Sequence, residues 1–417
     1  MMRSMFAGVS GLQAHQLMLD TVGDNIANVN TAGFKSSRVQ FEDTLSQVLR
    51  GDSAPSAANG AIPPEQVGLG VHVGGVQQVM TQGALQNTGR ATDLAIQGTG
   101  YFGVRQGAET LYTRAGAFTF DQQGSLVDPT GAIVQGWVAD AAGTVTKNGP
   151  TADLTLPLGQ ALPPTPTKNV TLSGNLSADD PVNSPTTPDV VKTSINAVDS
   201  QGATHKIGVT MTKTATNNWT VNVDSADGSV GAATVGTVTF GNDGKLQSTT
   251  PSPLQFTLAP PGSAATTVNM VMPVTGSDAF TQFGGTSTAV ALQQDGSQAG
   301  FLSSFSIGND GTISGVFSNG QQRVLGQVAL ATFKDPSSLT KAGNGHLRAN
   351  GASGNALVAT PGGNGTGGLA AGSLEMSNVD LSQEFTNLII AQRGFEANSK
   401  IISTSDELLQ SLINLKR

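Results

Sequence analysis

The two ends of the chain share a pattern of apolar positions that the middle lacks. Mostly apolar residues alternate at spacings of four and three, which is the heptad spacing of helices that lie along other helices. The N-terminal series is Met5, Val9, Leu12, Gln16, Leu19, Gly23 and Ile26, and the C-terminal series is Leu381, Phe385, Leu388, Gln392, Phe395, Ser399, Ile402, Asp406, Leu409 and Ile413. The pattern predicts two long terminal amphipathic helices. Their apolar members are expected to form an interface with helices of further copies of the chain.

The ends of these helices can also be predicted. Ser4 is the expected cap of the first helix, and Gly33 suits a left-handed stop after it. The second helix is expected to open at Ser377 or Asp380. Glycines within the first helix each weaken it by about 1 kcal/mol relative to Ala, so it should be marginal alone. An ordinary two-helix hairpin on a globular domain is the alternative interpretation.

Between the helices the sequence reads as β structure. Turn motifs that accept positive φ separate alternating apolar and polar runs at 121–124, 242–244, 309–311 and 319–320. Their irregular spacing predicts antiparallel β structure rather than a short repeat. Candidate linkers lie at 52–66, 157–168, 179–189 and 361–368. We therefore predict an α+β protein with mainly antiparallel β domains and terminal helices that pair as a coiled-coil-like core.

Composition narrows the class of partner. The net charge of −8 argues against nucleic acid, and no apolar run reaches the roughly 20 residues that membrane insertion requires. The apolar stretch after Arg3 is interrupted by Gln13, His15 and Gln16, so a cleaved signal peptide is not predicted. The absence of cysteine excludes disulfides and thiolate chemistry.

Candidate catalytic chemistry is missing from the sequence. Residues 98–103 match G-x-G-x-x-G, but a dinucleotide site needs a helix there and the chain continues as β. The four histidines are far apart, and His15 is expected on a polar helix face beside the apolar stripe. We predict no catalytic residue, no cofactor and no metal site, and hence no enzyme.

Sequence motifs at both ends resemble the bacterial flagellar rod and hook axial proteins. The N-terminal segment 24–35 carries Asn25, Ala27, Asn28, Asn30, Thr31, Gly33, Phe34 and Lys35 of that signature. The C-terminal segments 374–380 and 391–400 carry Ser377, Asn378, Asp380, Gln392, Arg393, Glu396, Ala397 and Asn398. Small departures occur at Asp24, Gly394 and Phe395. Segments 66–71, 93–98 and 112–116 resemble the β domain that the family shares.

The length of the chain indicates which members of that family it resembles most. About 150 residues follow the segment 134–137, where rod proteins turn back, and 172–176, 197–202 and 324–333 resemble hook proteins. The resemblance implies nested, discontinuous domains in four parts: a helical polymer core (1–32 and 375–417), a linker domain (33–70), a β domain (71–150 and 288–374) and an inserted outer all-β domain (151–287). A distal rod subunit is the alternative within the family, and a β-rich surface adhesin is the alternative from another class.

The resemblance also implies a function and a set of partners. Copies of a hook protein form a curved tubular homopolymer, a flexible joint that transmits torque from rod to filament. The implied partners are distal rod proteins, a hook cap scaffold, hook–filament junction proteins and the flagellar export apparatus. The implied location is the extracellular flagellum, reached without a cleaved signal peptide.

Overall fold

A computed structural model describes residues 2–51, 64–140, 143–147, 149–182, 190–231 and 233–414. Most of these residues form antiparallel β-sheets, and one long helix stands at each end of the chain. The predicted linkers 52–66 and 179–189 lie partly outside the described residues. The two helices are α1 (Met2–Ala27) and α2 (Leu381–Asn414).

The helix ends correct one prediction and confirm another. Helix α1 begins at Met2, so the predicted cap at Ser4 was wrong; Met2 and Arg3 are good helix formers and extend the helix past it. Helix α2 is capped by Asp380, whose Oδ1 accepts hydrogen bonds from the backbone N–H of Ser382 (2.9 Å) and Gln383 (3.3 Å). Gly33 has φ of 71°, as a left-handed stop requires.

The chain divides into two compact units. Unit 1 comprises Met1–Leu156, Ser306–Ser314 and Val324–Arg417, and unit 2 comprises Pro157–Phe305 and Gly315–Arg323. Unit 2 begins at the first proline of the predicted linker 157–168. The predicted boundary at residue 70 falls inside a β-hairpin, because 37–43 pairs with 71–78. The division of the chain into four functional parts stays a prediction.

The first part of unit 1 contains twelve strands. They are β1 (Ser37–Asp43), β2 (Ser46–Arg50), β3 (Glu65–Gly68), β4 (Val71–Gln78), β5 (Leu85–Asn87), β6 (Leu94–Gln97), β7 (Tyr101–Gln106), β8 (Glu109–Thr113), β9 (Thr119–Phe120), β10 (Leu126–Val127), β11 (Ile133–Val138) and β12 (Ala152–Asp153). Antiparallel pairing of β1 with β4 and of β2 with β3 forms a long hairpin.

Unit 2 is built from two sheets around one core. Its strands are β13 (Ala161–Leu162), β14 (Asn169–Ser177), β15 (Val190–Val198), β16 (Thr204–Ala215), β17 (Asn218–Ser225), β18 (Ala233–Phe240), β19 (Leu246–Thr250), β20 (Leu254–Leu258), β21 (Thr266–Val271), β22 (Phe280–Phe283) and β23 (Val290–Gln294). Strands β15 to β19 form an antiparallel meander. In the other sheet β14 is central and pairs in parallel with β21 and β22. Trp219, Leu172 and Phe280 are among the fully buried side chains of the core.

The chain then returns to unit 1. Strands β24 (Gly300–Ile307), β25 (Thr312–Phe317) and β26 (Gln322–Val328) contain the points at which it passes between the units. The remaining strands are β27 (Leu330–Thr332), β28 (Thr340–Gly343), β29 (His346–Arg348), β30 (Leu357–Ala359), β31 (Gly368–Ala371) and β32 (Ser373–Glu375), with a 3₁₀ turn at Pro336–Ser338. In unit 1 the main sheet runs in the order β26-β11-β7-β8-β29-β28.

The G-x-G-x-x-G segment is a strand connection, as predicted. Gly98 and Gly100 have φ of 109° and 134°, and strand β7 starts at Tyr101. No helix N-terminus is therefore available there to bind a pyrophosphate. Two predicted turns are also confirmed: 121–124 joins the antiparallel strands β9 and β10, and 242–244 joins β18 and β19.

Candidate self-assembly surface

Helices α1 and α2 pack antiparallel through small and polar residues. A Cβ added at Gly8 would lie 3.3 Å from Ile402 Cγ1, and a Cβ at Gly11 would lie 2.7 Å from Asn398 Nδ2. Further along, a Cβ at Gly394 would lie 2.5 Å from the His15 ring. At the far end, Asn25 Nδ2 donates to Glu384 Oε1 at 3.3 Å. We call these eight residues the inner seam.

Except for Ile402, which belongs to both, the residues of the inner seam lie one position before the predicted heptad series on each helix. Positions 8, 11, 15 and 25 precede the predicted positions 9, 12, 16 and 26, and positions 384, 394 and 398 precede 385, 395 and 399. The glycines allow the helix axes to approach, since a Cβ at these positions would meet the opposite helix. His15 therefore lies within the helix contact rather than beside it, which corrects its predicted place.

The predicted apolar stripe is left open on one chain. None of its twelve apolar members is fully buried, and Val9 (43% exposed), Phe385 (51%) and Ile413 (68%) are the more open ones. Leu381 and Phe395 are also exposed, while Met5, Leu12, Leu19, Ile26, Leu388, Ile402 and Leu409 are half-buried. Of this set, Ile402 is also a member of the inner seam. The chain itself therefore buries only part of the stripe.

Further apolar side chains on the helices are exposed beside the stripe. They are Phe6, Ile389, Ile390, Ile401 and Leu408. Monomeric soluble proteins rarely expose contiguous apolar patches of this kind, which generally mark interaction sites. The helix pair is thus the candidate surface for contacts with other molecules.

The family motif residues meet where the helices join the β-sheets. Glu375 is fully buried on β32, and its Oε1 accepts a hydrogen bond from Lys35 Nζ at 2.6 Å. Its Oε2 accepts from Arg114 NH1 at 3.3 Å. Lys35 Nζ also donates to the carbonyl of Thr81 at 2.7 Å, and the backbone N–H of Gly83 donates to Glu375. We call Lys35, Arg114 and Glu375 the charged cluster.

Burial shapes the electrostatics of this cluster. Burial lowers the pKa of Lys35 below its ordinary value, and the hydrogen bond and charge of Glu375 offset that effect only in part. Arg114 also opposes protonation of Lys35 through its own charge. One buried carboxylate thus faces two buried cations, and removing it would leave both without a counter-charge.

Two motif asparagines hold backbone segments beside the charged cluster. Asn25 makes a paired contact with Ser37, donating to its carbonyl (2.8 Å) and accepting from its N–H (2.9 Å). Asn378 accepts from the N–H of Ser36 (2.8 Å) and donates to the carbonyl of Val79 (2.8 Å). An amide side chain can donate and accept at once, which explains Asn at both positions.

The other N-terminal motif residues form the end of α1 and the turn after it. Asn28 donates to Asp24, and Thr31 Oγ1 donates to Asn28 Oδ1 at 3.0 Å. Gly33 donates its N–H to the carbonyl of Glu375 at 2.7 Å. A Cβ there would lie 2.5 Å from the backbone N of Ala115, so only glycine fits. Phe34 and Asn28 are half-buried, while Ala27 and Asn30 are exposed.

The C-terminal motif residues divide between capping, the seam and the open surface. Asp380 caps α2, and Ser377 Oγ accepts from the N–H of Val379 at 3.3 Å. Asn398 lies in the inner seam and donates to the carbonyl of Gly394. The exposed members are Gln392, Ala397, and Arg393 and Glu396, which form an ion pair of 3.1 Å.

Sequence reasoning missed the residues that join the motifs together. Glu375 and Arg114 lay inside the segments that carried the family resemblance, yet neither was singled out. The glycines of the first helix, which include Gly8 and Gly11, were interpreted only as a cost to its stability. Their spacing of three, with Asn25 and His15 on the same heptad series, was the available signal for a close helix contact.

Among the described residues, no group of three or more His, Asp or Glu side chains could hold a metal ion. In the same part of the chain, no helix is long and apolar enough to cross a membrane. The arrangement at the motifs therefore binds backbone segments and helices to one another, and the exposed feature is the apolar stripe.

Comparisons with known proteins agree with this geometry. Residues 5–35 match the family described as flagella basal body rod protein, and 370–415 match the flagellar basal body rod FlgEFG protein C-terminal family. Residues 95–178 match the flagellar hook protein FlgE/F/G D1 domain, and 167–297 match the flagellar basal body protein FlaE D2 domain. A flagellar hook protein from Helicobacter pylori has a similar fold, with a TM-score of 0.55 at 14% identity over 70% of this chain and 100% of that chain.

Full-length relatives are similar over the whole chain. The flagellar hook protein FlgE of Treponema pallidum is 40% identical over 100% of both chains. That of Borreliella burgdorferi is 39% identical over 100% of both, and the flagellar basal-body rod protein FlgG of Bacillus subtilis is 32% identical over 100% of both. Both the terminal motifs and the segment 167–297 thus match flagellar family models, and the chain belongs to the flagellar hook protein family.

Proposed function

We propose that this chain is the structural subunit of a bacterial flagellar hook. It assembles into a curved tubular homopolymer that acts as a flexible joint and transmits torque from the rod to the filament. Its further partners are distal rod proteins, a hook cap scaffold, hook–filament junction proteins and the flagellar export apparatus. The chain leaves the cell through that apparatus, without a cleaved signal peptide. Outside the cell it acts as a structural protein and not as an enzyme.

Assembly is supported by two adjacent rows of residues on each helix, the inner seam and the apolar stripe. The inner seam is used for contacts between α1 and α2 of one chain, since Gly11 and Gly394 lie against the opposite helix. The apolar stripe, one residue further along, stays half-buried or exposed against the described residues of the same chain. A second helix packing on it would supply the coiled-coil-like core that the heptad spacing predicts.

The energy available from this stripe is substantial. Fully burying one side chain such as Phe385 or Ile413 contributes about 1.5–3 kcal/mol. Because every copy in a polymer carries the same stripe, the gain repeats at each contact between subunits. The terminal parts (1–32 and 375–417) therefore form the polymer core in this proposal. The inserted segment, predicted at 151–287, has no heptad series and lies outside that core.

Electron microscopy of the purified full-length protein tests the proposal directly. We expect wild-type protein to form tubes and Phe385→Asp to remain a folded, soluble monomer, because a carboxylate buried at each contact costs several kcal/mol. Thr386→Asp is the matched control, since Thr386 is an exposed neighbour on α2 outside the stripe. Tubes in both variants, or in neither, would contradict the assignment of the stripe.

A distal rod subunit is the second candidate, favoured by the full-length similarity to the Bacillus subtilis rod protein. The match of 167–297 to the FlaE D2 domain favours the hook. Curvature separates the two, because a flexible joint requires a tube that bends. Curved tubes from the purified protein would support the hook, and uniformly straight tubes would support the rod.

A further inference from the structure

Helix α2 continues past the start of α1. In the inner seam Gly11 lies against Asn398. Extending this antiparallel register along the helices places Met2, the first residue of α1, beside Glu407 of α2. Helix α2 then runs on for about two turns, over residues 408–414. No residue of the described α1 lies beside these two turns, which we call the overhang.

The overhang presents apolar side chains to solvent. Leu408 is 53% exposed and Ile413 is 68% exposed, while Leu409 is half-buried. Leu409 and Ile413 are also the last members of the apolar stripe. Exposed apolar side chains that lie together in this way generally mark an interaction site. The end of α2 therefore needs an apolar partner that α1 of the same chain does not supply.

A cavity of about 340 Å³ lies at the opposite end of the helix pair, where α1, the start of α2 and strand β1 meet. Arg38 and Gln383 of its lining are exposed, so the cavity opens to solvent. Its apolar walls are formed by Met18, Val22, Val39 and Val79. The cavity thus offers apolar side chains a place to bury on the surface of unit 1.

The charges of the two surfaces are complementary. Arg38 and Glu384 are the charged residues of the cavity lining. Glu384 accepts a hydrogen bond from Asn25, whereas Arg38 makes no ion pair with any residue that the structure describes. Glu407, directly before the overhang, is exposed and likewise has no ion-pair partner in the described part of the chain. An overhang seated in the cavity would bring these two opposite charges together.

The overhang cannot reach the cavity of its own chain. Gln383 and Leu408 lie on one continuous helix, about 37 Å apart along its axis at 1.5 Å per residue. Only another copy of the chain can therefore bring the two surfaces together. The contact is heterologous, because a copy that inserts its overhang keeps its own cavity open for the next copy. Such a contact can repeat along a polymer.

We propose that the overhang of one copy docks in the cavity of a second copy. Leu408 and Ile413 then lie against the apolar walls, and Glu407 lies beside Arg38. The inference rests on the proposed function, since it concerns the same self-assembly. It adds a contact that joins subunits end to end, whereas the rest of the apolar stripe packs helix against helix.

Disulfide trapping in the concentrated full-length protein tests the contact, because the chain has no cysteine of its own. Gln383→Cys in the cavity lining is combined with Gln410→Cys on the overhang, and both sites are exposed. A disulfide forms only where the two Cα atoms come within about 7 Å. We expect mild oxidation to give covalent oligomers beyond the dimer, in which mass spectrometry finds residue 383 joined to residue 410.

The matched control replaces Gln383→Cys by Ser382→Cys. Ser382 is exposed on the same turn of α2 but does not line the cavity. This control pair should give at least about tenfold less of the bond to residue 410, because its side chain points away from the docked overhang. Absence of the 383–410 bond, or an equal yield in the control pair, would overturn the proposal.

A charge exchange checks the partner residues by a second route. Arg38→Glu should lower the yield of the 383–410 bond about fivefold, because it places a carboxylate beside Glu407. Glu407→Arg should lower it similarly, and the two changes together should restore it. Lys192→Glu, at an exposed site in unit 2, is the control and should leave the yield unchanged. No loss in the single variants, or no recovery in the combined one, would overturn the proposal.

Electron microscopy of the same samples separates this inference from the proposed function. Tubes without the 383–410 bond would overturn the inference and leave the proposed function standing. The bond in linear oligomers that never form tubes would support end-to-end docking and count against the hook function. We expect both the bond and tubes in the protein that carries Gln383→Cys and Gln410→Cys.

Discussion

Glu375 Oε1 lies 2.6 Å from Lys35 Nζ, although 340 positions separate the two residues in sequence. The pair ties the segment after the N-terminal helix to the strand before the C-terminal helix. Arg114, the residue after strand β8, joins it. Both terminal motifs are thus parts of one contact.

The buried pair predicts a large loss of stability on removing one charge. Glu375→Gln should lower the free energy of unfolding of unit 1 by roughly 3–5 kcal/mol, because Lys35 and Arg114 would stay buried without a carboxylate. Denaturant unfolding measures this. Glu109→Gln is the control, since Glu109 pairs with Arg348 at an exposed site and should change stability by less than about 1 kcal/mol. Similar losses in the two variants would contradict a special role for burial.

Because of the inner seam, the same substitution at two helical glycines should have different effects on stability. Gly394→Val should destabilise the helix pair by about 1–3 kcal/mol, because the new side chain meets the His15 ring. Gly23→Val should change stability by less than about 0.5 kcal/mol, because a Cβ at Gly23 has no neighbour within 4 Å. Hydrogen exchange of the α1 amides reports the difference. Equal protection in both variants would show that the seam is not tightly packed.

The sequence predicted the types of element well and the contacts between them poorly. Heptad spacing and turn motifs are local patterns, so α1, α2 and the turns at 121–124 and 242–244 could be predicted from the sequence. The inner seam consists largely of Gly, Asn and His, which give no hydrophobic signal. The Arg114–Glu375 contact spans 261 positions, and no local pattern encodes which distant carboxylate a buried arginine will meet.

The stability of unit 2 should depend on pH through His205. Its Nδ1 lies 2.6 Å from Asp227 Oδ2, and its Nε2 lies 3.3 Å from Asp199 Oδ2. Burial alone would lower the pKa of His205, but the hydrogen bonds and charges of Asp227 and Asp199 outweigh burial and raise it. A raised pKa in the folded state stabilises the protein fully below the unfolded value of about 6.5. That stabilisation is lost as pH rises through the folded pKa.

The expected result is a fall in the melting temperature of unit 2 between mildly acidic and mildly alkaline pH. Fluorescence of Trp219, buried in its core, follows the transition. His205→Gln should remove this dependence, whereas His72→Gln, an exposed site in unit 1, should leave it unchanged. A wild-type melting temperature that stays constant over this range would disprove the role of His205.

Unit 2 should also fold without the rest of the chain. All the buried residues of its core cluster lie within 170–289. An isolated fragment of residues 157–323 therefore keeps every contact among them. Two sheets that enclose one core of fully buried side chains, Leu172 and Trp219 among them, meet the usual requirement for an independent domain.

Trp219 provides the measurement, because the chain has two tryptophans and the other, Trp137, lies outside the fragment. We expect the isolated fragment to show the blue-shifted emission of a buried indole and a single cooperative unfolding transition. Trp219→Phe supplies the blank for the remaining fluorescence. If the emission of the fragment matched that of the denatured chain, the core of unit 2 would depend on unit 1. The inserted segment could then not act as an independent outer domain in the polymer.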